Sequence, residues 1–222
     1  MSLTENNVSV LMLMGQQCSF CGPMMQQLTA LMKSGQIAEL RIVNIEQSPQ
    51  LAKELGVRSV PWLRVGPFSL QGMRSKAELE DWLQRAADFS KGGEAARAYF
   101  EEVLAEGNIR LAEQLIAEYP QAMSGVIALL ADADAKINVR LGVGVLMEQM
   151  AAEQAFEPYI PQLAGYLSHA DARVRGDACH YLSLTGRPEL VPEIEKLLQD
   201  DSEEVREIAQ ESLEELQHEN RT

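Results

Sequence analysis

Residues 128–216 contain a pattern that occurs three times, and this repeat restricts the possible folds more than any other feature. Each copy has a Leu-containing helix, an Asp-bearing turn, a Val-Arg pair and a second helix; the copies span 128–150, 165–182 and 196–216. The valines of the pairs, Val139, Val174 and Val205, are 35 and 31 residues apart. One helical hairpin cannot bury its apolar face, whereas stacked hairpins share a continuous core. The repeat therefore predicts an all-helical solenoid, with residues 94–118 as a degenerate helix pair at one end.

The Asp turn and the Val-Arg start of the second helix resemble those of HEAT repeats, although the period is shorter than their usual length of about 40–47 residues. This resemblance implies a concave surface that binds another protein. The arginines of the three pairs are expected to pair with turn carboxylates, Arg140, Arg175 and Arg206 with Asp134, Asp171 and Asp201. Cys179 aligns with Gly144 and Gln210 of the other copies and is expected to pack between helices.

Residues 8–89 alternate between two hydrophobic periods, one typical of buried strands and the other of amphipathic helices. The order is β-α-β-α-β-β-α, with segments at 8–14, 20–33, 40–45, 48–56, 60–65, 68–72 and 75–89. Gly66-Pro67 separates the last two strands and indicates a hairpin. Ser75 and Glu78 have the spacing of a capping box at the start of the last helix. An α/β fold is therefore predicted for this part, followed by the all-helical solenoid.

Charge is distributed unevenly along the chain. Residues 1–90 contain eight basic and eight acidic residues, whereas residues 91–222 contain 11 basic and 25 acidic residues and carry the whole net charge of −14. The change coincides with a glycine-containing break at residues 90–94, which predicts two domains, 1–90 and 91–222. An acidic surface of this kind repels phosphate backbones, so we expect no nucleic-acid partner.

The sequence has no pattern typical of export or membrane insertion. Residues 1–7 lack the basic region of a signal peptide, and residues 8–14 are too short an apolar run for its hydrophobic region. No stretch approaches the roughly 20 apolar residues of a membrane helix. Three cysteines are too few for a secreted disulfide scaffold. We expect a cytoplasmic protein without a membrane partner.

Cys18 and Cys21 are separated by two residues and lie where the first strand leads into the first helix. Backbone N–H groups and the helix dipole at such a position stabilise a thiolate, so that one cysteine attacks a disulfide and the other resolves the product. A metal site would need two further ligands, but the third cysteine and the three histidines show no paired spacing. Redox exchange is favoured over metal binding, an inert pair is the third interpretation, and no cofactor or metal is expected.

Three segments of the first part resemble the thioredoxin family: CSFC at 18–21, LRIVNIEQSPQLAKELGVRSVPWLRV at 40–65 and GMRSKAELEDWL at 72–83. The resemblance implies that Cys18 is the nucleophile and Cys21 the resolving thiol. It also implies that Pro61, 43 residues after Cys18, is a cis-proline beside the active site. Val60 would then offer its backbone to an extended peptide substrate.

Several positions depart from the family's pattern. They are Gln17 in place of the Trp before the first cysteine, Met12 in place of a buried Asp, Ile42 in place of its accompanying Lys, and Gln26 in place of the helix proline. Without the buried carboxylate, the usual proton acceptor is lost and Cys21 is expected to react more slowly. The size is closer to that of glutaredoxin. FCGPM at 20–24 offers a competing register with Met24 in place of a cysteine, but it needs a longer gap before NIEQSP than CSFC does.

These observations predict a thiol–disulfide oxidoreductase whose HEAT-like domain docks a protein client and whose cysteine pair is recycled by a reductase or an oxidant. The alternative is a non-enzymatic interaction scaffold with an idle or redox-sensing pair, which the replacements at Met12 and Gln17 slightly favour. Short HEAT-like repeats also occur in bilin-attachment lyases, but no residue here indicates a chromophore site. We further expect Cys18 to be the N-cap of the first helix and the more reactive thiol.

Overall fold

A four-stranded mixed sheet forms the centre of the first part of the chain. In the computed structural model, which describes residues 8–150 and 154–219, the strands are β1 (Ser9–Met14), β2 (Glu39–Asn44), β3 (Trp62–Val65) and β4 (Phe68–Gln71). Their order in the sheet is β2-β1-β3-β4. β1 is parallel to β2 and antiparallel to β3. β3 and β4 form the predicted hairpin, where Gly66 takes the positive φ of 55° that suits a tight turn.

Helices cover both faces of this sheet. α1 (Cys21–Lys33) connects the parallel strands β1 and β2, and α3 (Lys76–Ser90) follows β4 behind the predicted capping box. Both pack into one core, which Met12 of β1 enters from the sheet. The next residue, Leu13, points to the other face, where it packs with α2 (Pro49–Glu54). The predicted β-α-β-α-β-β-α order is confirmed.

The chain divides into two units, Met1–Lys91 and Gly92–Thr222. The helices of the second unit are α4 (Gly93–Ala105), α5 (Ile109–Glu118), α6 (Met123–Leu130), α7 (Ile137–Met150), α8 (Ile160–Tyr166), α9 (Ala172–Ser183), α10 (Val191–Glu195) and α11 (Glu203–Glu219). They follow one another as four hairpins, with short 3-10 segments and no strand in the described part of this unit. None of the helices in the described ranges combines the length and the apolar content that a bilayer crossing demands.

The repeated Val-Arg pairs place their valines in the core of the second unit. Val139, Val174 and Val205 each stand near the start of the second helix of a hairpin and are at most 1% exposed. The same position is therefore buried in three successive hairpins, and α9 packs directly against α11. This shared burial is the physical reason for the repeat in the sequence.

Arg175 connects two successive hairpins through ion pairs, of which the pair with Asp200 is nearly buried. Its guanidinium donates to both carboxylate oxygens of Asp200, each at 2.7 Å, and to Oδ1 of Asp201 at 2.6 Å. Asp171, a predicted turn partner, instead caps α9 by accepting the N–H of Arg173 at 2.9 Å. Arg206 donates to the backbone oxygen of Asp200 at 2.6 Å. The expected pairing of Arg175 with Asp171 is therefore corrected. Arg175 pairs with Asp200 and Asp201 of the following turn, because its guanidinium reaches across the interface between the hairpins.

Candidate active site

The sheet brings the residues after β1 next to the residues before β3. The last paired residues of the two antiparallel strands are Leu13 and Trp62, so the chain that leaves β1 passes the chain that enters β3. A Cβ atom placed at Gly15 would lie 3.3 Å from Cγ2 of Val60. The loop that carries Cys18 thus adjoins the Val60-Pro61 segment.

Cys18 and Cys21 form a disulfide, with an S–S distance of 2.14 Å and a Cα–Cα distance of 5.4 Å. Cys18 is half-buried in the loop, whereas Cys21 is the first residue of α1 and only 1% exposed. The predicted N-cap is wrong, because the N-cap is Phe20 and Cys18 stands two residues before it. The carbonyl oxygen of Cys18 accepts the N–H of Cys21 at 3.2 Å, which makes a turn before the helical hydrogen bonds begin. The pair therefore joins an accessible loop sulfur to a buried helix sulfur.

The Val60-Pro61 segment lies opposite this loop with a cis peptide bond. Pro61 is buried, and its carbonyl oxygen accepts the N–H of Gly72 at 2.9 Å. In the described part of the chain, neither the N–H nor the C=O of the half-buried Val60 forms a hydrogen bond. Val60 thus has both backbone groups available for an extended peptide.

Glu46 holds the cysteine loop through a hydrogen bond to its backbone. Its carboxylate accepts the N–H of Gln16 at 2.9 Å and would lie 3.2 Å from a Cβ at Gly15. Asn44, the last residue of β2, accepts the N–H of Glu46 and so fixes the turn that presents the carboxylate. Glu46 was not among the site residues expected from the sequence. An acidic residue two positions after β2 was a usable signal, since the ends of two adjacent parallel strands lie side by side.

Comparison with family models agrees with this geometry. Residues 7–84 match the model described as thioredoxin domain, and residues 123–214 match the model described as HEAT repeats. The chain carries a thioredoxin domain followed by HEAT repeats. None of the curated proteins matches the chain. The predicted resemblance to both families is thereby confirmed.

Among the residues of the thioredoxin domain that the structure describes, no buried acid or base stands ready to exchange a proton with Cys21. Met12 is fully buried in the same core as Cys21, at the position where the family usually has a buried Asp. Among the described residues of this domain, no charged side chain is buried. Gln17 is exposed. Within the described residues, a proton that leaves the sulfur of Cys21 therefore has no buried carboxylate or amine to accept it.

The third cysteine belongs to the HEAT repeats. Cys179 is fully buried on α9, and its sulfur lies 3.6 Å from the hydroxyl oxygen of Ser212. Burial raises the pKa of the Cys179 thiol to about 11, which suppresses thiolate formation near neutral pH. In the described residues, no group of three or more Cys, His, Asp and Glu side chains has an arrangement that could hold a metal ion.

The difference in burial leads to a prediction about reactivity. After reduction, Cys18 should react with iodoacetamide at least about tenfold faster than Cys21, since the less buried thiolate attacks the reagent more readily. Rates would be followed by mass spectrometry in Cys21→Ser and Cys18→Ser variants that also carry Cys179→Ser. Faster modification of Cys21 would contradict this assignment.

A second prediction concerns Glu46. Glu46→Ala should slow the reaction of reduced Cys18 with a small disulfide about fivefold, because a lost hydrogen bond of about 1 kcal/mol loosens the loop. Glu46→Gln keeps an acceptor oxygen and should stay within about twofold of the wild type. Stopped-flow rates with an aromatic disulfide would measure both. Equal rates for Glu46→Ala and wild type would show that the hydrogen bond does not position Cys18.

Proposed function

We propose that the chain is a thiol–disulfide oxidoreductase that acts on proteins, with Cys18 as the nucleophile and Cys21 as the resolving thiol. The observation that carries this proposal is the Cys18–Cys21 disulfide at the start of α1, beside the Val60-Pro61 segment. One sulfur is accessible and the other is buried directly behind it, which suits attack followed by resolution.

In the reducing direction, the Cys18 thiolate attacks one sulfur of a client disulfide and forms a mixed disulfide, while the other client sulfur leaves as a thiolate and takes up a proton. The Cys21 thiol then loses its proton and attacks the sulfur of Cys18. This step releases the second client thiol and forms the Cys18–Cys21 disulfide. Two electrons pass from the cysteine pair to the client. A reductase restores the dithiol, and an oxidant would drive the reverse direction.

Val60 and Pro61 are proposed to hold the client. The unpaired N–H and C=O of Val60 suit hydrogen bonding with an extended backbone next to the reacting sulfur. Such contacts depend little on sequence, so this domain would accept many peptides. Selection of one client is assigned to the HEAT repeats, whose acidic region favours a basic partner and disfavours nucleic acid. We place this activity in the cytoplasm, where reductants for the pair are abundant.

A non-enzymatic scaffold with a redox-sensing pair is the second candidate. Met12 favours it, because a fully buried thioether cannot accept the proton of Cys21. The two candidates differ in turnover. The full chain would be mixed with dithiothreitol and insulin, and the wild type compared with Cys18→Ser. We expect the variant to lose at least about 99.9% of the catalysed rate, as for loss of a covalent nucleophile. Equal rates would support the scaffold.

A third prediction tests the division of labour between the two units. A fragment of residues 1–91 should fold alone and reduce a small disulfide within about threefold of the full-chain rate, because the cysteine pair, Glu46 and Val60 all lie within it. Both tryptophans, Trp62 and Trp82, lie in this fragment, so their fluorescence during urea unfolding reports its stability. A fragment that folds but lacks activity would show that the HEAT repeats complete the active site.

A further inference from the structure

One helix of the HEAT repeats exposes a stripe of apolar side chains. Ile137 and Leu141 of α7 are each 66% exposed, and Val145 is 41% exposed. Their spacing of four residues places them on the same face of the helix, along roughly 12 Å. In the described residues of the second unit, no other large apolar side chain is comparably exposed. Contiguous apolar surface of this kind is typical of a protein-binding site.

The stripe borders a groove between α7 and α9. The groove has a volume of about 340 Å³, and its lining includes the buried Leu129 and Leu130 of α6. Gly144 keeps the space between the helices open, since a Cβ atom there would lie 3.3 Å from the hydroxyl oxygen of Tyr181. The exposed apolar stripe and the partly polar groove together form a site that can receive several side chains of a partner.

Two arginines line the groove, and both interact with the carboxylate of Asp177 in the same unit. Arg173 donates to Oδ2 of Asp177 at 3.1 Å and to the backbone oxygens of Leu130 and Asp132 at 3.2 and 3.3 Å. Arg140 also lines the groove; burial raises the pKa of Asp177, and the charges of Arg173 and Arg140 oppose this rise. Arg173 is therefore engaged by groups of its own unit and gives an acidic partner little free positive charge.

The carboxylate of Glu148 is more available to a partner. Glu148 lies one turn beyond Val145 on α7, its side chain is 60% exposed, and its Oε1 lies 3.9 Å from Nε2 of His180. All of the chain's net charge of −14 lies in residues 91–222, which steers cationic partners toward this region. The exposed carboxylate of Glu148 and the net negative charge of residues 91–222 therefore favour a basic segment.

We propose that the groove between α7 and α9 binds an amphipathic helix of a partner protein, with apolar residues against Ile137, Leu141 and Val145 and Lys or Arg next to Glu148. The site lies between two helices, and the stripe spans two helical turns, so it matches apolar residues at i, i+4 and i+7 of a bound helix. In the proposed function this partner is the client, and to that extent the inference rests on that function. The binding itself requires neither Cys18 nor Cys21.

The test uses the full chain and a fluorescein-labelled synthetic helix of about 16 residues, with Leu at i, i+4 and i+7 and Lys elsewhere among alanines. Fluorescence anisotropy should show binding that weakens as salt is raised. Leu141→Asp should weaken it at least tenfold, although this change adds a negative charge that would attract the peptide. Ala98→Asp on α4 adds the same charge at an exposed site and should leave the affinity within twofold.

Three results would overturn the proposal: no binding of the Lys peptide, equal binding by Leu141→Asp, or equal binding of a peptide with Glu in place of Lys. A wild-type dimer that Leu141→Asp converts to a monomer would also overturn it, because a second copy would then occupy the groove. Cys18→Ser should bind the peptide as tightly as the wild type. If the wild type binds through the groove but does not reduce insulin, the redox function fails and the groove assignment stands.

Discussion

A Cys21→Ser variant mixed with a disulfide-containing protein such as insulin should accumulate a covalent complex through Cys18, whereas Cys18→Ser should accumulate none. Cys18 is half-buried in a loop, and Cys21 is 1% exposed behind it. When serine replaces the resolving thiol, no neighbouring sulfur can release the mixed disulfide. We expect the trapped fraction to rise by at least about 100-fold over the wild type, in which the intermediate is transient.

Non-reducing electrophoresis and mass spectrometry of the acid-quenched mixture would quantify the complex. Cys179→Ser provides the matched control, since burial raises the pKa of the Cys179 thiol to about 11 and should keep it silent. Trapping should therefore be the same with Cys179 present or replaced. Equal trapping by Cys18→Ser and Cys21→Ser would contradict the assignment of roles.

Arg175→Met should lower the free energy of unfolding of the second unit by about 3 kcal/mol, because breaking a buried ion pair leaves its partner uncompensated. The Asp200 side chain is 8% exposed and accepts two hydrogen bonds from Arg175. Hydrogen bonds from Arg175 are the main cause that lowers the pKa of Asp200 to about 2. The double variant Arg175→Met, Asp200→Asn should recover part of the lost unfolding free energy, since position 200 then carries no unpaired buried charge.

The same network predicts how stability depends on pH. The pKa of Asp200 is lower in the folded state than its ordinary value of 3.8, so its stabilising contribution is present above about pH 4 and is lost as the pH falls through about 2. In Arg175→Met, the pKa of Asp200 should move back up and this part of the acid dependence should shrink. The stability of the wild type should therefore fall more steeply between pH 4 and 2 than that of the variant.

Urea unfolding followed by circular dichroism and by tryptophan fluorescence separates the two units, because both tryptophans lie in the first. The dichroism transition, dominated by the helical second unit, should shift in Arg175→Met while the fluorescence transition stays in place. Arg110→Ala, at an exposed position on α5, is the control and should change stability by less than about 0.5 kcal/mol. Equal shifts for Arg175→Met and Arg110→Ala would contradict the role of the network.

The element order of both parts could be predicted because it follows from periodic burial. Val139, Val174 and Val205 recur in the sequence since each occupies the same buried place in a stacked hairpin. Likewise, Met12 and Leu13 enter the two cores on opposite faces of the sheet, which a run of apolar residues before Gly15 already indicated. Such periodic patterns of apolar residues can be seen in the order of residues along the chain, without knowledge of the folded structure.

Features that leave no periodic pattern in the sequence were not predictable in this way. The N-cap was misplaced because a backbone turn from Cys18 to Cys21 delays the helix, and no side chain signals that turn. Glu46 reaches Gln16 across 30 residues, and Arg175 reaches Asp200 across 25. The exposed stripe on α7 also required the structure, since its residues have the same apolar character as buried positions of the helix.

The most direct test of the redox function is a single-turnover exchange between the fully reduced chain and a disulfide-containing peptide, with no other reductant present. The products would be alkylated in acid-quenched samples and identified by mass spectrometry. We expect one Cys18–Cys21 disulfide to form for each substrate disulfide that is lost, together with two new substrate thiols. A substrate disulfide that stays intact while Cys18 and Cys21 remain reduced would contradict the proposed function.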